Sequence, residues 1–469
     1  MGAILKYLVV TTAALLGTSI TAQAADLAVK APYLKAPILS IYDWTGFYIG
    51  ANAGIGLGRN KTELASFGGT TPSLNTTYLA PHGAFGGAQA GYNWQTGSVF
   101  GPLVLGIEAD IQGASLRDDF TNLRIGEATA YDQRLDWFGT VRGRIGRADG
   151  PVFSYATAGY AYGSVRTTLN QTSIGITDFG NRIHHGWTYG GGVEAALGGN
   201  WSAKIEALYV NLGNKSDVFE AGAQTLNTEL RERIYRVGLN YRIGGNGTYV
   251  TPPPANWAGL YLGGNVGSGW ARNRTSYVFS NANEAFNLSP EGFIGGGQIG
   301  YNWQAGSWVA GIEADIQGSL QRDDDACITR CLVTQNSSFD SKLPWLGTVR
   351  GRLGYSLGST LLYGTAGYAY GGVKTRITAV GLGAPVDVTA SGSRSGWTVG
   401  GGIERPFKFF GMFGPNWTSK SEYLYVDLGS ASGTLAAGPG TIAVTSNVKE
   451  HIFRTGVNYH FNSPVVAKY

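Results

Sequence analysis

The sequence contains few cysteines, few charged residues and no long hydrophobic run. Only two of its 469 residues are cysteines, and only 14% are aspartate, glutamate, lysine or arginine. After the first two dozen residues, no segment approaches the roughly 20 apolar residues that a transmembrane helix needs. A helical-bundle membrane protein is therefore excluded. The formal net charge of +4 is small and dispersed, so we expect no nucleic-acid partner.

Glycine, by contrast, is abundant, and the glycine-rich motifs occur twice. Glycine accounts for 73 residues, about twice its usual share. The segment WTGFYIGANAGIGLGRN from Trp44 recurs as WAGLYLGGNVGSGWARN from Trp257, and the octapeptide GIEADIQG begins at both Gly106 and Gly311. The spacing of about 210 residues is the size of a whole domain, so the sequence predicts a tandem duplication.

The first residues predict export from the cytoplasm. Lys6 supplies the positive charge of a signal peptide, a short apolar core follows, and Ala22-Gln23-Ala24 forms a cleavage site. We therefore divide the chain into a signal peptide at 1–24, a periplasmic tether at 25–43, a first copy at 44–244, a Pro-rich linker at 245–256, and a second copy at 257–469.

Strict alternation of polar and apolar residues is the strongest local pattern. In GIEADIQG, Glu108 and Asp110 fall on one face of a strand, and Ile107 and Ile111 fall on the other. A soluble β-sandwich also alternates, but these apolar faces are rich in glycine and alanine and end in tryptophan or tyrosine. We therefore predict an all-β fold, a transmembrane antiparallel up-and-down β-barrel edged by aromatic girdles.

Eight strands can be counted in each copy, and two kinds of connection join them. Short turns alternate with long connections, as in outer-membrane barrels with periplasmic turns and external loops. In the first copy we expect the long loops at 59–82, 114–131, 166–183 and 211–230. These loops differ between the copies, as expected for a surface that meets other molecules, but they encode no legible ligand.

The polar face of each copy carries acids and bases in near-equal number. We predict that these side chains line the lumen and pair there, since an eight-stranded barrel is only wide enough to be filled by its own side chains. A selectivity lining for a pore is the alternative. The predicted ion-pair network contains Glu108, Asp110, Arg142, Arg144, Glu194, Lys204, Glu206 and Arg236 in the first copy, and Glu313, Asp315, Arg350, Arg352, Glu404, Lys420, Glu422 and Arg454 in the second.

Each copy ends on a similar amphipathic segment, RVGLNYRI or RTGVNYHF. Its glycine and aromatic positions look like the closing-strand signal that the outer-membrane barrel insertion machinery reads. The residues that carry this pattern are Gly238 and Tyr241 in the first copy, and Gly456, Tyr459 and Phe461 in the second. We expect that machinery to be a partner.

The sequence indicates no catalytic site, cofactor or metal. His184 and His185 form the one histidine cluster, and the second copy has Arg394 and Ser395 there, so an exposed loop pair is the simpler interpretation. No nucleophile–base–acid set or phosphate loop is found. Cys327 and Cys331 are expected to close a small disulfide loop. A metal pair is the weaker alternative, because no further ligand lies nearby.

Together these segments resemble one bacterial family. ADLAVKAP, WTGFYIG, GGAQAGYNWQ, GIEADIQG, GTVRGRIG, TAGYAYG and GWTYGGGVE are similar to motifs of the outer-membrane β-barrel family of alpha-proteobacteria, also called outer immunogenic or porin-family proteins. The resemblance covers nearly the whole chain, once per copy. It implies an eight-stranded barrel in the outer membrane, in contact with lipid and lipopolysaccharide, with a structural and surface-exposed role. The duplication and the tail after Phe461 depart from the usual pattern.

Duplication leaves two possible architectures. Two eight-stranded barrels could follow one another, or sixteen strands could close as one porin for passive diffusion of small solutes. The Pro-rich linker, the complete charge set in each copy and the closing segment at the end of the first copy favour two barrels. We predict two barrels, with little or no conductance.

Overall fold

The fold is known from a computed structural model, which describes residues 42–67, 76–98, 102–124, 127–171, 175–219, 224–244, 253–279, 282–326, 336–380, 386–407, 414–437 and 440–461. The predicted signal peptide lies outside these residues, as do 25–41 of the tether, 245–252 of the linker, and both cysteines, Cys327 and Cys331. Among the described residues, no helix is long and apolar enough to cross a membrane.

The first copy consists of antiparallel strands. Its described residues form β1 (Gly46–Gly58), β2 (Asn60–Phe67), β3 (Thr76–Leu79), β4 (His82–Thr96), β5 (Leu103–Arg124), β6 (Glu127–Asp149), β7 (Val152–Gln171), β8 (Ile176–Gly198), β9 (Trp201–Phe219) and β10 (Gln224–Ile243). β2 continues β1 after Arg59, and β4 continues β3 after a break at Ala80 and Pro81. Counted in this way, the copy has eight strands.

These eight strands close into a ring. β1 pairs with β4 on one side and with β10 on the other, so that Phe47 lies opposite both Tyr92 and Ile243. Each strand from β4 to β10 pairs antiparallel with the next. The last strand therefore returns to the first, and the copy is a complete eight-stranded barrel.

The second copy repeats this arrangement. Its described strands are β11 (Gly259–Phe279), β12 (Ala282–Leu288), β13 (Glu291–Ala305), β14 (Trp308–Ala326), β15 (Asn336–Leu357), β16 (Thr360–Val380), β17 (Val386–Pro406), β18 (Trp417–Ala437) and β19 (Gly440–His460). β12 and β13 together form one interrupted strand, and β11 pairs with both β13 and β19, Leu262 lying opposite Ile299 and Tyr459. The prediction of two tandem eight-stranded barrels is confirmed, and the single sixteen-stranded barrel is wrong.

The outer walls of the barrels carry exposed apolar side chains. Ile107, Ile111, Val141 and Ile145 each expose more than half of their surface, while Glu108, one residue along β5, is 1% exposed. This distribution inverts that of a water-soluble sheet, and it is the pattern of a barrel whose outer face contacts lipid.

Aromatic side chains form a girdle at each end of both outer walls. At the end with the short turns lie Phe47, Tyr92, Trp94, Trp201 and Tyr241, and in the second barrel Tyr301, Trp303, Trp308, Tyr355, Trp417 and Tyr459. At the other end lie Trp137, Tyr160, Tyr162, Trp187, Tyr189 and Tyr209, and Trp345, Tyr368, Tyr370, Trp397 and Tyr425. Trp201 and Tyr209 are separated by roughly 26 Å along β9. At a strand tilt of about 40° this is roughly 20 Å across the membrane, close to the apolar band about 25 Å tall of outer-membrane barrels.

The connections predicted as long loops are largely strand. β5 extends to Arg124 and β6 begins at Glu127, so most of the expected 114–131 loop is paired. Leu169, Phe219 and Leu226 are buried together inside the extension beyond the girdle. This small apolar cluster gives the projecting hairpin arms a core of their own, so they remain folded outside the membrane.

β-Bulges explain why the regular alternation of polar and apolar residues stops before the strands end. On β6 the inward-facing set changes from Phe138 to Leu135, across a register shift beside Asp136. On β9 the inward-facing set of residues changes near Gly213, whose φ of 75° is in the left-handed region that favours glycine. An extra residue in one strand reverses the phase of all that follow.

The two barrels pack against each other through their outer walls. Tyr235 faces outward from β10 but is only 7% exposed, because its ring lies 6.3 Å from that of Phe453 and 5.3 Å from that of Trp270. In the RVGLNYRI and RTGVNYHF repeat, Tyr235 and Phe453 precede the first residue and are equivalent. Equivalent positions therefore meet at the interface, as around a two-fold axis.

Charged contacts at the long-hairpin rim repeat this symmetry. Arg272 Nη2 lies 2.7 Å from Asp118 Oδ1 of the first barrel. Reciprocally, Arg59 of the first barrel pairs with Asp323 of the second. Arg59 corresponds to Arg272 and Asp118 to Asp323 in the duplicated motifs. We call the Arg272–Asp118 and Arg59–Asp323 pairs the rim pairs. Below this rim, Val193 and its counterpart Ile403 belong to one apolar cluster.

Candidate functional site: the barrel lumens

A layer of charged side chains fills the middle of each lumen. In the first barrel its centre is Glu108, which accepts hydrogen bonds from Lys204 Nζ at 2.7 and 2.8 Å. Arg142 Nη2 at 2.5 Å, Arg144 Nη1 at 2.9 Å and the Tyr48 hydroxyl at 2.7 Å also donate to it. Arg236 Nη2 lies 3.3 Å from the same carboxylate. One carboxylate thus meets four cations, and all of these side chains are buried.

Two arginines link the remaining carboxylates to this centre. Arg142 donates to Glu206 at 2.8 Å and to Asp110 at 2.9 Å. Arg236 donates to the same two groups, at 2.6 Å to Glu206 and 2.9 Å to Asp110. Planar guanidinium groups that bridge two carboxylates hold both in a fixed geometry, and they are stronger donors than neutral groups.

Glu194 completes the charged layer on the side of the short turns. It receives Arg144 Nη2 at 2.8 Å, the Ser202 hydroxyl at 2.6 Å and Asn240 Nδ2 at 2.8 Å. The structure therefore brings all eight residues of the predicted first set into one network: Glu108, Asp110, Glu194 and Glu206 with Arg142, Arg144, Lys204 and Arg236. Four acids face four bases, so the charges balance in an environment where an unpaired charge is costly.

The second barrel repeats the network with small changes. Its members are Glu313, Asp315, Glu404 and Glu422, with Arg350, Arg352, Lys420 and Arg454. Lys420 Nζ lies 2.8 Å from Glu313 Oε1, while Arg352 Nη1 is 3.6 Å from Glu313 Oε2. His460 Nε2 adds a contact at 3.2 Å to Glu404. The same arrangement thus occurs twice within one chain.

A tryptophan closes each lumen at the short-turn end. Trp44 donates from Nε1 to the carbonyl of Gly150 at 3.1 Å, and its backbone amide donates to Gln95 Oε1. Trp257 donates from Nε1 to Ser356 Oγ at 3.0 Å and is fully buried. Both tryptophans belong to the repeated entry-strand motif, but the motif does not predict their role as plugs, because each tryptophan precedes its strand and lacks its periodicity.

An apolar layer fills each lumen on the other side of the charges. Its buried members are Phe85, Leu116, Leu135, Phe138, Ala161, Val165, Leu208, Val210, Leu212, Leu230 and Ile234 in the first barrel. In the second they are Ala271, Ile294, Leu343, Leu346, Ala369, Val373, Leu424, Val426, Leu428, Val448 and Ile452. Plug, charged layer and apolar layer therefore follow one another along the axis.

Two further acids, Glu232 and Glu450, are buried in the lumens and were missed. They occupy equivalent positions, four residues before Arg236 and Arg454 on the same face of the strand. Glu232 accepts a hydrogen bond of 3.3 Å from Asn60 Nδ2. The signal that could have found them is the continued period of two along RERIYR and KEHIFR.

The residues of the predicted closing signals lie on the last strand of each barrel. Gly238 and Gly456 fall on its inner face, and Tyr241 faces outward beside Trp201, with ring centroids 5.0 Å apart. In the second barrel, Tyr459 contacts Trp417 at 5.3 Å and Phe461 at 5.2 Å. The aromatic positions therefore join the girdle at the short-turn end.

The histidine pair is divided between the two faces of β8. His184 is buried on the inner face, whereas His185 points outward, with Nδ1 2.5 Å from the Tyr160 hydroxyl. The two imidazoles cannot serve one site. Within the described ranges, no three histidine, aspartate or glutamate side chains form a group that could hold a metal ion.

Comparison with known proteins identifies relatives that each match about half of this chain. The chain is 36% identical over 240 residues to the 31 kDa outer-membrane immunogenic protein of Brucella melitensis, covering 49% of this chain and 96% of the relative. It is 34% identical over 194 residues to the 22 kDa outer membrane protein of Rhizobium leguminosarum bv. viciae, covering 40% and 71%. Matches that cover about half of the chain agree with the duplication.

Solved structures give only weak likenesses. The attachment invasion locus protein Ail of Yersinia pestis is 14% identical, with 43% of this chain and 99% of Ail covered and a TM-score of 0.24. The toluene transporter TodX of Pseudomonas putida is 10% identical, with 89% and 90% covered and a TM-score of 0.22. Scores this low carry no functional argument.

A family model decides the assignment. The outer membrane protein beta-barrel domain matches residues 10–242 and again residues 250–461. The relatives are named as outer-membrane proteins, which places this chain in the outer membrane and confirms the predicted location. The chain therefore belongs to the outer-membrane β-barrel protein family, and it carries the family's domain twice.

Proposed function

We propose that the protein is a structural, surface-displaying component of the outer membrane, with two closed lumens and no catalytic activity. The observation that carries this proposal is the filling of both lumens by plug, charged layer and apolar layer. An eight-stranded barrel has room for its own side chains but not for a water column as well. Passive diffusion through either barrel is therefore not supported.

The projecting hairpins support the proposed surface display. The arms of β5 and β6 continue beyond the Trp137 girdle to Arg124 and Glu127, and their pairing keeps them ordered. The Brucella relatives are named immunogenic, and we extend that property to this chain. Lipopolysaccharide would be the neighbour of the girdle on the hairpin side, and the barrel insertion machinery would read β10 and β19.

Single-channel recording tests the closed lumens. Purified protein is inserted into planar lipid bilayers, with a sixteen-stranded porin as the positive control. We expect no stable conductance steps, and no swelling of vesicles that contain the protein when small sugars are added. Regular, porin-sized steps that scale with the amount of protein would refute the proposal.

A further inference from the structure

We infer that the interface between the barrels is a binding site for one phospholipid of the periplasmic leaflet. One acyl chain would occupy the cavity between the outer walls, and the phosphate would lie at Arg405. This inference concerns the outside of the barrels, so it does not depend on whether the lumens conduct.

The cavity has the size and lining of a hydrocarbon site. It measures about 650 Å³ and lies between Ala53, Ala203 and Ile205 of the first barrel and Leu353 and Ile403 of the second. A dry apolar cavity of about 150 Å³ already binds benzene, and water needs polar partners to occupy a site. Between two lipid-facing walls, the available occupant is an acyl chain.

The aromatic residues of the cavity indicate the leaflet. Trp308 and Tyr355 line it, and both belong to the girdle at the short-turn end, which faces the periplasm. Tyr235 and Phe453 line it toward the opposite side of the bilayer. A chain that enters beside Trp308 would therefore run from the periplasmic surface toward the middle of the membrane.

Arg405 supplies the charge for a headgroup at that end. It lies two residues beyond Ile403 on the same outward face of β17, and Ile403 lines the cavity. Its Nη1 is buried, lies 3.8 Å from Asp149 Oδ2, and makes no hydrogen bond. The same aspartate already receives Arg147 Nε at 3.1 Å.

Two guanidinium groups around one carboxylate leave one positive charge for an anion. Phosphate fits the planar fork of arginine, which donates two parallel hydrogen bonds to its oxygens. The first copy has Ala195 where the second has Arg405, so the duplication does not repeat this headgroup contact. The site would exist once per chain.

Native mass spectrometry tests the site. The purified chain is stripped of lipid by detergent exchange and titrated with palmitoyl-oleoyl phosphatidylglycerol. Ala203→Trp fills the cavity, with Ala53→Phe as a second filling variant. Arg405→Ala removes the headgroup contact, and Arg405→Lys keeps the charge. Ala158→Trp is the control, because Ala158 is an exposed, outward-facing alanine of β7 that does not line the cavity. Heat-dependent gel mobility confirms that each variant is folded.

We expect one tightly retained phosphatidylglycerol in the wild type and in Ala158→Trp. Either filling variant should abolish retention, and Arg405→Ala should weaken it about tenfold, as expected for losing a charge-assisted contact, with Arg405→Lys in between. Equal retention by the filling variants and the control would overturn the cavity assignment. Equal binding of phosphatidylglycerol and uncharged dioleoylglycerol would overturn the role of Arg405. A preference for lipopolysaccharide would overturn the assignment of the site to the periplasmic leaflet.

Discussion

Neutralising Glu108 should destabilise the first barrel strongly. Glu108→Gln changes the volume little but leaves Lys204, Arg142 and Arg144 facing a neutral amide. The network then contains three acids and four bases, so one buried positive charge is uncompensated. Removing one partner of a buried ion pair costs about 3–5 kcal/mol, and we expect the free energy of unfolding to fall by that amount.

A second substitution separates charge imbalance from lost packing. Lys204→Met removes the lysine charge and keeps a long apolar side chain, so the Glu108→Gln/Lys204→Met double variant restores the balance. It should recover about 1–3 kcal/mol relative to the single variant. The second barrel provides a replicate within the same chain, because Glu313 and Lys420 make the equivalent contacts. Glu313→Gln with Lys420→Met should give similar values.

The assay is reversible urea unfolding in lipid vesicles, followed by tryptophan fluorescence and far-ultraviolet circular dichroism. The extrapolated free energies of the variants are compared in one double-mutant cycle per barrel. A loss below about 1 kcal/mol for Glu108→Gln, with no recovery in the double variant, would show that water screens these charges, since exposed pairs have that small value. The lumens would then be hydrated, and the barrels would not be closed.

Three further predictions concern packing, the plug and orientation. Gly91→Ala should cost about 1–3 kcal/mol in the same assay, because the added methyl group would overlap the Tyr48 side chain, whereas Gly113→Ala, which meets no atom within 4 Å, should be neutral. Trp257→Ala and its replicate Trp44→Ala should each cost about 3–5 kcal/mol; conductance should remain absent, and its appearance would show that the plug alone closes the lumen. An epitope inserted at the β5–β6 tip should bind antibody on intact cells, and one in the β8–β9 turn only after permeabilisation; the reverse labelling would contradict the orientation.

The charged layer could be predicted because alternation on a strand has only two phases. Once Ile107 and Ile111 are assigned to lipid, Glu108 and Asp110 must face the lumen. The contact partners are then limited by the narrow barrel, which brings residues from β5, β6, β9 and β10 together. The fold and the members of the charged layer thus follow from local patterns and the barrel diameter.

Features that break the local pattern could not be predicted in the same way. The bulges beside Asp136 and at Gly213 reverse the phase of the alternation, so the sequence pattern predicts loops where the strands continue. Trp44 precedes its strand and has no period to place it. The packing of Tyr235 against Phe453 depends on the relative position of the two barrels. The alternation of residues along a strand does not indicate that position.

The interface that contains the rim pairs forms within one chain, and this has a kinetic and an evolutionary consequence. Two separate barrels with this interface would have to find each other by diffusion in the membrane, whereas a short covalent connection replaces that encounter by an effective concentration in the millimolar range. An interface worth only about 5.5 kcal/mol would then remain about 90% formed. Fusion also fixes the ratio of the two halves at one to one. Each half is therefore free to acquire residues that the other lacks, and Arg405 is such a residue.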